Sequence, residues 1–94
     1  MADATSAELE VQNEHGLHAR PAALFVQRSA RFRSAITLRN LTRDGKEVNA
    51  KSIMDVLTAG VEKGSRIQIF ATGSDADEAV ESLTELIRMG LGDT

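Results

Sequence analysis

The segment Arg66-Ile67-Gln68-Ile69-Phe70-Ala71 places Ile67, Ile69 and Ala71 at every second position. Such a strand has one face to bury and one to leave in water. The same alternation occurs in residues 8–12, through Leu9 and Val11, and again through Ile36 and Leu38. Residues 46–50 read as a further strand, entered by a turn across residues 40–45 built on Asp44-Gly45. Strands with a single apolar face need one covering layer, and the helical patterns between them supply it.

The first helix is expected over residues 19–31, with Ala22, Leu24, Phe25, Val26 and Ala30 as its apolar positions. Pro21 falls in its first turn, where a missing N–H sacrifices no intrahelical bond. Ser52 followed by Asp55 resembles a capping box, so a short helix starts there and ends before Gly60 and Gly64. Ser74 or Asp75 caps a last helix, in which Ala76, Ala79, Val80, Leu83, Leu86 and Ile87 form one stripe. The expected fold is α+β: an open-faced β-sandwich whose four-stranded antiparallel sheet is covered on one side by three helices, in the order βαββαβα. Residues 1–7 read as a flexible N-terminal extension and residues 8–94 as a single domain.

Ninety-four residues, 41% of them apolar, allow one core, and three Phe with no Trp or Tyr make it aliphatic. Without cysteine there is no disulfide, thiolate nucleophile or zinc cluster, which suits a reducing cytoplasm. His15 and His18 alone are too few to hold a metal. A net charge of −3 argues against a nucleic-acid partner, and Phe70 is the one aromatic residue on a clear strand for an RNA-binding sheet. No apolar run approaches membrane-spanning length, and the first seven residues lack signal-peptide character. Six arginines fall between Arg20 and Arg43, which reads first as ordinary solvated faces and otherwise as a basic surface around the first helix for acidic protein partners.

The chemistry concentrates in His15-Gly16-Leu17-His18-Ala19-Arg20-Pro21-Ala22. It sets His18 at a helix start, where unpaired N–H groups and a partial positive charge favour phosphate. Imidazole there can act as nucleophile and as carrier of the captured group. Arg20 offers a forked guanidinium for phosphate oxygens. His15 reads as a plain turn residue. Neither a glycine-rich phosphate loop nor a carboxylate pair supports nucleotide hydrolysis or glycoside chemistry.

That motif resembles the HPr family, the histidine-containing phosphocarriers of the bacterial phosphoenolpyruvate-dependent sugar phosphotransferase system. Ala50-Lys51-Ser52-Ile53-Met54, Leu57-Thr58-Ala59-Gly60 and Gly90-Leu91-Gly92 extend the similarity across residues 8–92. The resemblance implies a carrier phosphorylated on His18 Nδ1 by enzyme I and discharged by sugar-specific A components, with Arg20 assisting. It implies no cofactor, a monomeric cytoplasmic protein, and a transiently phosphorylated carrier rather than a free-standing enzyme. Ser52 matches a regulatory serine that a kinase and phosphorylase act on in some bacteria. Ala19, Ala23, Ile53, Met54 and Leu57 match an apolar docking face.

Two departures from the family pattern stand out. The turn at residues 40–44 is about three residues longer, and Asp55 puts a carboxylate where many relatives have a small residue, which would repel a phosphoserine. Ser52 also reads simply as a helix cap, and Ile53, Met54 and Leu57 as core. The short helix has more apolar residues than one face needs, so Ile53 or Met54 is expected to be exposed. The alternatives are a paralogous phosphocarrier of a nitrogen-related or dihydroxyacetone branch, or a regulatory module in which phosphorylated Ser52 binds a transcriptional regulator.

Overall fold

A computed structural model describes residues 3–93. The elements run β1 (Ala4–Glu10), α1 (Ala19–Ser29), β2 (Ala35–Asn40), a 3-10 turn (Leu41–Arg43), β3 (Val48–Asn49), α2 (Ile53–Thr58), β4 (Arg66–Thr72) and α3 (Ala76–Arg88). The sheet order is β1-β4-β2-β3 and every pairing is antiparallel. Leu9 lies opposite Ile67, and Leu38 opposite Ile69, with all four side chains turned into the core. A slip of one residue would turn each of these rows into water, so burial pins the register.

Phe25, Ala22, Val56, Ala79, Leu83 and Ile87 from the three helices complete that core. Phe25 is its largest fully buried side chain, and a truncation to Ala of this kind costs about 3–5 kcal/mol. The α3 stripe is buried as its spacing predicts, apart from Leu86, which is half-buried. Among the described residues no helix is long and apolar enough to cross a membrane.

Four local expectations are corrected. The first strand begins at Ala4, so residues 4–7 are not a flexible extension. They pair with Ile69 to Thr72 across β4, and Thr5 Oγ1 donates to Asp77. Met1 and Ala2 lie outside the described residues. β3 shrinks to two residues because the chain enters it from a 3-10 turn instead of a tight Asp-Gly hairpin. The Asn40 side chain accepts from Thr42 N at 3.2 Å, and Asp44 rather than Gly45 takes the left-handed conformation, at φ 52°.

α1 stops at Ser29, whose hydroxyl bonds back to Phe25 O at 2.8 Å, and Ala30 is exposed rather than buried. At α3 the N-cap residue is Asp75, but its carboxylate makes no cap. It accepts instead from Arg33 N at 2.8 Å, Ser34 N at 2.9 Å and the Ser34 hydroxyl. The Ser34 hydroxyl, with the Arg33 N–H next, holds the Asp75 carboxyl down to about 2. Asp75 therefore ties the α1–β2 loop to the start of α3.

Candidate functional site

The segment leading to His18 is held from both sides. Gly16 sits at φ 56°, and a Cβ there would come within 2.4 Å of Val61 O, so only glycine lets the two backbones approach this closely. Leu17 N donates to Val61 O at 3.0 Å, and the Leu17 side chain is fully buried. These contacts deliver His18 to the N-cap of α1 in extended backbone, at φ −126° and ψ 160°.

The half-buried His18 side chain makes no cap hydrogen bond, and no acid stands in the first turn of α1. The helix end thus keeps its unpaired N–H groups and partial positive charge. Ala19 then adopts φ 53°, a left-handed conformation costing a non-glycine residue about 1–2 kcal/mol. Strain of that kind is held in place by what surrounds it, here the buried Leu17 before it and the buried Pro21 and Ala22 after it.

His18 lines a shallow depression of about 460 Å³ with Glu14, His15, Glu62 and Lys63. Lys63 and Glu14, both well exposed, lie 3.9 Å apart. Arg20 is exposed and does not line this depression. Its guanidinium reaches towards Gly92, where an added Cβ would be 3.9 Å from Arg20 Nε.

Ser52 is the N-cap of α2, and its hydroxyl accepts from Asp55 N at 3.3 Å. The reciprocal half of a capping box is missing. The shorter Asp55 side chain accepts from Asn49 N at 3.1 Å instead of returning to the Ser52 N–H. Ile53, Met54 and Leu57 are 41%, 67% and 38% exposed, whereas Val56 is buried, so the surplus apolar side chains of α2 face solvent. α2 packs on α1, where Ala19 is exposed and Ala23 half-buried.

Of the six arginines, three are engaged on different elements. Arg28 donates to the Ser82 hydroxyl on α3 at 3.0 Å, Arg39 donates to Gly45 O at 2.9 Å, and Arg43 lies over Gly60. Their spacing in sequence carries them to separate elements.

Sequence reasoning missed Asp93. Its Oδ2 accepts from Asn13 Nδ2 at 2.9 Å and His15 N at 3.0 Å, and lies 3.3 Å from His15 Nδ1. The Asn13 amide first, and then the His15 N–H, hold the Asp93 carboxyl below its ordinary value. His15 does lie in a turn, but it is a tethered one. No local signal could reveal a contact across 78 residues.

Residues 5–89 match the family described as the PTS HPr component phosphorylation site. The chain is 45% identical over 91 residues to a multiphosphoryl transfer protein of Salmonella typhimurium, covering 97% of this chain and 24% of that protein. It thus spans about a quarter of the length of that relative. It is 46% identical to an HPr-like protein Crh of Halalkalibacterium halodurans, covering 85% of this chain and 92% of the relative. The crystal structure of HPr-C-His from Thermoanaerobacter tengcongensis superposes with a TM-score of 0.90 at 42% identity, covering 96% of this chain and 98% of the other. Its sheet topology, its histidine at the start of α1 and this match across most of its length identify the chain as a member of the PTS HPr family.

Proposed function

We propose that this domain is a phosphocarrier of a phosphotransferase system, with His18 as the acceptor. The observation that carries the reading is His18 itself: a half-buried imidazole at the N-cap of α1, bonded to nothing there, above a helix start with no acid in its first turn. In the reaction, neutral His18 attacks phosphorus through Nδ1 while Nε2 keeps its proton. The N–P bond forms as the donor's bond to phosphorus breaks; the donor is phosphorylated enzyme I, which keeps the electron pair of the broken bond. The phosphoryl oxygens then meet the free N–H groups at the start of α1, and Arg20 adds a mobile positive charge. Onward transfer to sugar-specific A components reverses these steps.

The exposed Ile53, Met54 and Leu57, with Ala19 and Ala23 on the adjoining helix, serve as the docking face for both partners. Ser52 caps α2 and is a regulatory phosphorylation site for a serine kinase and phosphorylase in this reading. In this reading the carrier acts as a monomer in the cytoplasm.

The test is incubation with enzyme I and labelled phosphoenolpyruvate, followed by acid treatment. Acid-labile label should enter the parent and be abolished in a folded His18→Ala variant. Label retained by His18→Ala and lost in His15→Ala would assign the other histidine. Label that enters only from ATP, is acid-stable and resides on Ser52 would replace the carrier with a regulatory module.

A further inference from the structure

Beyond Arg88 the chain reverses sharply. Gly90, Leu91 and Gly92 all have positive φ, at 92°, 53° and 78°. Leu91 is fully buried and anchors the reversal in the core. Gly92 then passes the start of α1 so closely that a Cβ would lie 2.7 Å from Leu24 Cδ1. Two glycines flanking a buried leucine therefore aim the tail at the loop that carries the acceptor histidine, and Asp93 is the residue that arrives.

Its carboxylate is only 18% exposed and takes donors from two successive parts of that loop, the Asn13 side chain and the His15 backbone, while facing the His15 ring. Asn13 in turn donates to Gly16 O at 2.9 Å, and Gly16 N donates to Asn13 O at 3.2 Å. The chain of bonds thus runs from Asp93 through Asn13 to Gly16, two residues before His18. On the far side of Gly16, Leu17 N donates to Val61 O.

We propose that Asp93 is a positioning residue for phosphoryl transfer, a clasp that fixes residues 13–16 so that His18 is presented in one orientation. The proposal rests on the phosphocarrier reading for its kinetic consequence and on the hydrogen bonds alone for its structural one. A carboxylate suits the role because both of its firm partners are donors, and it accepts from both without a competing donor of its own. A displacement of the acceptor by a fraction of an ångström slows an in-line transfer, while the large exposed docking side chains, Ile53, Met54 and Leu57, stay in place on α2.

The experiment measures kcat and KM for transfer from phosphorylated enzyme I to the parent, Asp93→Ala and Asp93→Asn. Asp93→Ala should lower kcat about tenfold, with KM within about twofold of the parent. Asp93→Asn keeps a carbonyl oxygen for the Asn13 and His15 donors, so kcat should return to within about twofold of the parent. An unchanged kcat in Asp93→Ala, a loss confined to KM, or no recovery in Asp93→Asn would each overturn the clasp. Amide exchange on the same samples separates this from the underlying reading: the Gly16 N–H should exchange about tenfold faster in Asp93→Ala. If the parent takes no label, the phosphocarrier reading fails, and the Gly16 exchange rate alone decides the clasp, an unchanged rate overturning it.

Discussion

At the start of α2 a serine hydroxyl accepts from the Asp55 N–H, and Asp55 supplies a negative charge in the first turn. At the start of α1 there is neither. His18 stands at the N-cap without capping, no acid follows, and Ala19 is held left-handed. A cap of the α2 kind contributes about 1 kcal/mol, so α1 forgoes a comparable stabilisation at its first turn. In exchange it keeps its N–H groups and positive end unpaired. The start of α2 is finished by its own residues; the start of α1 is left open.

The comparison is broken most severely at Arg20, the charge proposed to help the open end hold phosphate. Arg20→Ala should slow transfer from enzyme I or to the acceptor by about tenfold, equivalent to about 1.4 kcal/mol. Thermal stability should be unchanged because the side chain is exposed. Rapid-quench measurement of label on His18 checks this, and equal rates in both directions would remove Arg20 from the site.

Opening α2 in the way α1 is open is the next perturbation. Ser52→Ala should cost about 1 kcal/mol in urea unfolding through loss of the cap. Ser52→Asp should keep that stability, since aspartate caps as well as serine, yet lower the rate of His18 phosphorylation by adding charge beside Ile53 and Met54. An Asp variant phosphorylated as fast as the parent across a range of salt would leave Ser52 as a cap alone.

Relieving α1 is the converse. Ala19→Gly removes the left-handed penalty, partly offset by the greater freedom of glycine in the unfolded chain, and should stabilise the fold by up to about 1 kcal/mol. A loss of stability in urea unfolding would show that Ala19 is not strained.

The smallest effect concerns the third helix start, where Asp75 is spent on the neighbouring loop. Its folded pKa of about 2 lies below the unfolded value, so its stabilisation is full above about pH 4 and lost as pH falls towards about 2. The melting temperature of the parent should therefore fall more steeply across that range than that of Asp75→Asn. Parallel curves would mean that the carboxylate contributes nothing.

Much of this molecule was legible in advance because its signals are local. Period-two alternation marks Leu9, Ile36, Leu38, Ile67 and Ile69 as inward-facing, and steric alternation along one strand needs no partner to be read. The α3 stripe, the Ser52 cap and His18 at the start of α1 are likewise set within four or five residues. The exposure of Ile53 and Met54 follows from a short helix with more apolar residues than its buried side can take.

What the chain alone did not reveal are features whose partners come from elsewhere. Ala4 to Ala7 carry no strong apolar pattern and become strand because β4 offers a free edge. Asp75 looks like a helix cap until the α1–β2 loop presents two N–H groups and a hydroxyl to it. The scattered arginines, the 3-10 turn anchored through Asn40 to Ala59 and Gly60, and Asp93 on the His18 loop belong to the same class. Periodicity and capping are settled by near neighbours along the backbone. A polar side chain with several possible partners takes the one that folding brings within hydrogen-bond distance, and only the tertiary structure decides which that is.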